Sequence, residues 1–290
     1  MVRVRKVSSL RGFSERSESL TMAPTKVLAG RVALVTGASR GIGEAIARRF
    51  AAEGALVGVT ARTQAEGDHR FSGSLASTVT AIHGANGTAI AVPADLSRIE
   101  DRVRLVETVS NEFGPIDVLV NNAAITYFTA SSEFDLRRWQ LMFDVQVLAP
   151  FHLCQLVVPG MRSAHAGWIL NISSPAATHP TGPPYAAGGG HTVYGMCKAA
   201  LERFSTGLAS ELYDDGIAVN ALSPTGLVVT PGVVHHELDK RIPKERHEPV
   251  AVMSEAALLL CSQEPRAVTG RIVWSQELLR EFNVAMSSEE

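Results

Sequence analysis

Thr36-Gly37-Ala38-Ser39-Arg40-Gly41-Ile42-Gly43 follows the apolar run Val32–Val35 and leads into a helical segment, Glu44–Ala52. Gly37, Gly41 and Gly43 permit a tight turn and let a pyrophosphate approach the backbone. The helix N-terminus adds free N–H groups and the positive end of its dipole. A glycine-rich turn alone is a weak signal, since it is also an ordinary structural turn. Placed between a first strand and a first helix, it predicts the opening βα unit of a nucleotide-binding sheet.

Working outward, six further runs rich in Val, Ile and Ala recur with helix-length spacers: Leu56–Thr60, Thr88–Val92, Ile116–Val120, Trp168–Ile172, Ile217–Leu222 and Arg271–Trp274. Near-continuous apolar runs suit strands covered on both faces. Right-handed crossovers between them give an α/β fold, a single doubly wound domain with a seven-stranded parallel sheet. The domain is expected over residues 29–275, after a disordered extension over 1–28 and before a C-terminal tail, 276–290. Met1 to Met22 is rich in Arg and Ser, without periodicity or an apolar signal region; a transit peptide is the competing reading, which Glu15 and Glu18 oppose.

The chain of 290 residues is 46% hydrophobic, enough for one large core. Its net charge of −2 gives no argument for nucleic acid or an anionic membrane as partner. No apolar run reads as long enough to span a bilayer. Cys154, Cys197 and Cys261 lack metal-ligand spacing and read as reduced, partly buried helical thiols, consistent with a cytoplasmic protein. No metal site is expected; His179 and His191 have no carboxylate or thiol beside them.

Three spacers are irregular: Gln64–Ser74, Ser174–Val193 with four Pro and four Gly, and Thr225–Glu248. The second ends at Tyr194-Gly195-Met196-Cys197-Lys198, which opens a helix. Residues four apart share a helix face, so phenol and ammonium become neighbours. A free tyrosine titrates at about 10; a close cation lowers that value toward the range useful for acid–base catalysis. Alone, the pair also reads as an exposed surface couple.

The ordered set decides between these. The T-G-x-x-x-G-x-G turn, Asp95-Leu96 after the third strand, Asn121-Asn122-Ala123-Ala124 after the fourth, Ser174 after the fifth, and Tyr194 with Lys198 together resemble the short-chain dehydrogenase/reductase family, over about Gly30 to Trp274. The resemblance implies a Rossmann-type fold, NAD(P)-dependent oxidoreductase activity on a small-molecule carbonyl or alcohol, and a homodimer or homotetramer. It implies catalytic roles for Ser174, Tyr194 and Lys198. Tyr194 would be the general acid/base, and Lys198 would lower its pKa and bind the nicotinamide ribose. Ser174 would hold the substrate oxygen. It also implies cofactor contacts from Gly37, Ser39, Arg40, Gly41, Ile42, Gly43, Asp95, Leu96, Asn122, Tyr194 and Lys198, with Leu227 and Thr230 at the carboxamide.

The second strand ends Val59-Thr60-Ala61-Arg62 without the carboxylate that reads a ribose 2′-hydroxyl. Arg62, with Arg40 as a second candidate, suits a 2′-phosphate, so NADP is favoured over NAD.

Three departures stand out. The family's fourth catalytic position, an Asn, is occupied by Gln146, which implies a working but altered proton relay. The interval from Ser174 to Tyr194 is longer than usual, and Thr225 separates Pro224 from Gly226 in the turn beside the nicotinamide. These departures leave room for an alternative, a catalytically weak NAD(P)-binding sensor or scaffold. The candidate pocket residues Ile125, Phe128, Pro175, Tyr185, Leu227 and Val228 are mainly apolar and imply a hydrophobic substrate.

Overall fold

The structure is a computed structural model that describes residues 26–183, 185 and 190–284. The expectation for residues 1–25, the Gly188-Gly189 pair of the long loop and residues 285–290 lies outside these.

The chain runs β1 (Val32–Thr36), α1 (Gly41–Ala52), β2 (Leu56–Thr60), α2 (Leu75–Gly84), β3 (Thr88–Ala91), α3 (Ile99–Phe113), β4 (Val118–Asn121), α4 (Leu136–Phe143), α5 (Ala149–Ala164), β5 (Gly167–Ile172), α6 (Thr192–Leu212) and β6 (Ile217–Ser223). After β6 come β7 (Leu227–Val228), α7 (Pro231–His235), α8 (Leu238–Arg241), β8 (His247–Glu248), α9 (Val250–Ser262), β9 (Ile272–Trp274) and α10 (Ser275–Glu281). Seven strands form one sheet in the order β3-β2-β1-β4-β5-β6-β9, and every pairing is parallel. β7 and β8 form a separate parallel pair.

β1, β4, β5 and β6 are buried along their whole length, as their predominantly apolar sequences predict. One core fills the α1/α2/α9/α10 face, with Phe50, Val57, Val120 and Met253; the other fills the α3/α5/α6 face, with Leu34, Leu105, Leu119 and Val219. The strand order reverses between β3-β2-β1 and β4-β5-β6. Ligands of doubly wound sheets bind in the crevice this opens at the carboxyl ends of the strands.

Three expectations need correction. Leu28 is fully buried and Val27 N donates to Glu53 Oε2 (3.1 Å), so the domain starts before residue 29. At the other end, α10 sets Leu278 and Leu279 into the core, with Phe282 and Val284 against it, so the domain extends beyond residue 275. Finally, α4, a π-helical turn (Asp144–Leu148) and α5 join into one 29-residue helix, Leu136–Ala164, long and apolar enough to cross a membrane by length and composition. Its Met142, Leu153, Cys154, Val157 and Met161 are buried in the fold, the pattern of a core helix.

Candidate active site

The glycine turn is stitched to the end of β4. Thr36 Oγ1 donates to Val120 O (3.2 Å) and accepts from Asn122 N (2.9 Å) and Ala123 N (3.1 Å). The Asn122 amide donates to Thr36 O (2.8 Å) and Gly37 O (3.2 Å). A Cβ on Gly43 would collide with both that amide and Gly37 O, so the close approach of α1 to the turn requires glycine there. Arg40 precedes α1 without a side-chain cap on the helix, which leaves its first N–H groups for a ligand. These features fit a dinucleotide's pyrophosphate. Ser39 is buried, and Ile42 packs against the core behind the turn.

The adenosine side differs from the sequence expectation in one respect. The Arg40 guanidinium is committed to the Gln64–Ser74 insertion: Nη2 donates to Gly73 O (2.6 Å) and Thr63 Oγ1 (3.2 Å), and Nη1 to His69 Nδ1 (3.2 Å). Burial lowers its pKa, with Glu66 opposing. Arg62 is exposed at the end of β2. Burial lowers the His69 pKa, as do Arg40, Arg62 and Arg70, so these cations share one neighbourhood. Asp95 Oδ1 accepts from Ser97 N (3.0 Å) and Oγ (2.7 Å), and Leu96 is buried behind it.

At the chemical end, Ser174 ends the β5 loop and caps the short turn Pro175–Ala177, while Tyr194 stands in the first turn of α6. Lys198, one turn on, is 2% exposed; its Nζ donates to Ile172 O (2.8 Å) and lies 5.6 Å from the Tyr194 ring centroid. Tyr194 packs with Ile125, Tyr127, Phe134, Trp139, Phe143 and Val147 around Met142, Val193 and Cys197.

That packing reverses the expected electrostatics. Burial pushes the Tyr194 phenol up to about 12, against the pull of a hydrogen bond with Ser174. Burial also pulls the Lys198 ammonium down to about 8, with Cys197 and Glu202 opposing. Desolvation disfavours both charged forms, so the phenol is a proton donor at neutral pH rather than a phenolate. The Cys197 thiol, pushed up to about 11 by burial, is protonated too and is no nucleophile.

Gln146 sits within the π-helical turn, 1% exposed; its Nε2 donates to Ile125 O (2.9 Å) while its buried Oε1 has no partner among the described residues. π-turns within α-helices often mark functional sites. Of the apolar pocket candidates, Ile125 packs with the Tyr194 ring and Val228 is buried, whereas Pro175 and Tyr185 are exposed, with the Tyr185 ring folded against Gly182. Phe128 lies between the His191 and His236 rings, at 4.8 Å from each centroid.

Sequence reading overlooked several groups. Glu202 follows Lys198 by one helical turn and accepts from Ser173 Oγ (2.5 Å); the i, i+4 spacing was the available signal. The buried chain from Asn121 Nδ2 to Asn171 Oδ1 (2.8 Å), and from Asn171 Nδ2 to Ser205 Oγ (2.8 Å), braces β4, β5 and α6 beneath the site. Thr230, expected at the carboxamide, caps α7 by accepting from Val233 N (3.3 Å), and its methyl group lies against Gly41. Phe71 of the insertion meets His235 of α7 at 5.0 Å, so the two segments touch above the crevice.

A family model described as short chain dehydrogenase matches residues 31–241. An uncharacterized oxidoreductase of Methylorubrum extorquens is 36% identical over 256 residues, covering 85% of this chain and 96% of the relative. The short-chain reductase protein NovJ of Streptomyces niveus is 39% identical over 226 residues, 78% of each chain. A metagenomic short-chain oxidoreductase solved in complex with NADP superposes with a TM-score of 0.69 at 29% identity, over 86% of this chain and 98% of that one. The seven-stranded sheet, the glycine turn held by Asn122 and these likenesses agree: the chain belongs to the short-chain dehydrogenase/reductase family of oxidoreductases.

Proposed function

We propose that the protein reduces the carbonyl group of an apolar small molecule with NADPH, and catalyses the reverse oxidation. The observation that carries this reading is the grouping of Ser174, Tyr194 and Lys198 at the carboxyl edge of the sheet, with the phenol in its neutral form. When bound, the nicotinamide supplies the hydride. Tyr194 donates the proton to the developing alkoxide, and Ser174 donates a hydrogen bond to the same oxygen. Lys198 places its charge behind the phenol and would reach the nicotinamide ribose. Gln146 acts as a positioning residue through its hold on Ile125 O, a carbonyl of the loop that packs on Tyr194.

The cofactor preference rests on Arg62, exposed just past β2 at a strand end that carries no carboxylate, with His69 and Arg70 beside it. Arg40 contributes by holding the insertion in place. NADPH oxidation over a panel of apolar ketones and aldehydes tests the activity, with NADH run in parallel. We expect NADPH to be preferred, and Arg62→Ala to cut kcat/KM for NADPH by about tenfold, the loss of one exposed charge-assisted contact, while leaving NADH within twofold. A preference for NADH unaffected by Arg62→Ala would overturn the cofactor assignment. Cofactor binding without turnover on any carbonyl would favour a sensor or scaffold instead.

Self-association is proposed on the face carrying Trp139, Phe143, Val147, Leu148, Phe151 and Phe204, where Leu148 and Phe151 are exposed. A mostly apolar groove of this kind, with Gln140 and Asp144 also in its lining, suits a second copy of the chain. Light scattering should give the mass of a dimer or tetramer for the wild type and of a monomer for Phe151→Asp; a monomeric wild type would exclude the proposal.

A further inference from the structure

The turn after β6 is tied to the C-terminal helix through one buried carboxylate. Glu248 is 2% exposed. Its two oxygens accept from Ser275 Oγ (2.8 and 2.9 Å), Gln276 Nε2 (3.0 Å) and Gly226 N (3.2 Å). Thr225, the residue inserted between Pro224 and Gly226, completes the cluster: its N donates to Ser275 Oγ (3.0 Å), and its Oγ1 accepts from Gln276 N (3.1 Å). A Cβ on Gly226 would press on Glu248 Cβ and Arg246 O, so the turn lies directly on the carboxylate's own backbone. Gly226 N and Gln276 Nε2 can only donate, and the Ser275 hydroxyl donates as well, so the carboxylate is met by donors on the turn and on the helix together.

The segment this cluster holds crosses the crevice. It leaves β6 beside the β5 loop, where Ser173 N donates to Leu222 O (2.8 Å), next to Ser174. It then runs through β7, which pairs with the strand bearing Glu248, and reaches the glycine turn, where the Thr230 methyl meets Gly41. The segment therefore spans from the chemical end of the crevice to its phosphate end, and its origin is fixed by Glu248.

We propose that Glu248, with Ser275 and Thr225, is a positioning residue for the nicotinamide half of the cofactor. It acts through the Gly226–Thr230 segment and touches neither cofactor nor substrate. The inference rests on the cofactor reading above. It assigns a functional role to the start of α10, through Ser275 and Gln276, and to the inserted Thr225, which together hold the carboxylate. The adenosine half is bound by other elements, the glycine turn and the end of β2, so the two halves of the ligand should respond differently when the cluster is loosened.

The test compares NADP+ with 2′,5′-ADP, which lacks the nicotinamide ribose, by titration calorimetry on the full chain. Glu248→Leu removes both acceptor oxygens and leaves Gly226 N and Gln276 Nε2 without them. It should weaken NADP+ at least tenfold while leaving 2′,5′-ADP within twofold of wild type. Ser275→Ala removes one donor and should give a smaller loss in the same sense, about threefold, as expected for a neutral partner's hydrogen bond. Equal losses for both ligands, or failure of both variants to fold, would show a general structural role and overturn the inference. A wild type that binds 2′,5′-ADP and NADP+ tightly, with both variants unchanged, sinks this inference and leaves the cofactor reading intact. A wild type that binds neither ligand sinks both.

Discussion

Replacing Tyr194 by Phe should reduce kcat/KM for carbonyl reduction by about 10²–10⁴-fold, the usual contribution of a positioned general acid. The ring packs against the buried cluster of Met142, Val193 and Cys197, a contact that a Phe ring can keep. The substitution therefore keeps the packing and removes one oxygen, which faces Ser174. Stability should change by no more than about 1 kcal/mol, the net value of one hydrogen bond. The affinity for NADPH, measured separately by fluorescence titration, should stay within a few-fold. Because the phenol's proton is needed only as the alkoxide develops, kcat and kcat/KM should fall together. A Phe variant that retains turnover within tenfold of wild type would remove Tyr194 from the mechanism, whatever the neighbouring geometry.

The strands were legible because strands buried on both faces carry continuous apolar runs. Leu56–Thr60 coincides with its sequence run, β4 differs at both ends, and the others differ by one residue at one end. Ile116 reads as part of a strand but lies in the turn before β4, since it is buried there for packing rather than for pairing. The glycine turn was legible for a different reason, the lack of space for a Cβ at Gly37 and Gly43 beside Asn122. What could not be read is whatever depends on distant segments meeting. Thr225, Glu248 and Ser275 are far apart in sequence, and nothing local marks them as one cluster. The Arg40 grip on Gly73 and His69 is of the same kind, since those residues lie about 30 positions away. The sign of the Tyr194 shift was also hidden. The spacing to Lys198 shows a nearby cation, but how much water is excluded is set by α4, the π-turn and α6 packing together. Leu28 and α10 belong to the core for the same reason: a short flanking segment has too few residues for a period to show.

Lys198 should set the alkaline limit of reduction. Burial lowers its pKa from 10.5 to about 8, so the cation is present below that pH and lost above it. With the phenol pushed up to about 12, Tyr194 stays protonated throughout, and Lys198 is the group that titrates first as pH rises. The pH profile of kcat/KM reports groups of the free enzyme; it should be flat from about pH 6 to 7 and fall through a limb centred near 8. Lys198→Met should lower the plateau by about 10²–10³-fold, the scale for removing one preorganised electrostatic partner, and abolish the limb. Stability supplies an independent readout. Between about pH 8 and 10.5 the unfolded lysine holds a proton that the folded one has released, so the wild type gains stability across that window. The Met variant lacks this contribution. The difference in Tm between the two proteins should therefore move toward the wild type as pH rises from 8 to 10, with other titrations cancelling in the comparison. A limb that persists in Lys198→Met would assign the titration to another group, and a Tm difference independent of pH would show that the buried ammonium keeps its ordinary pKa.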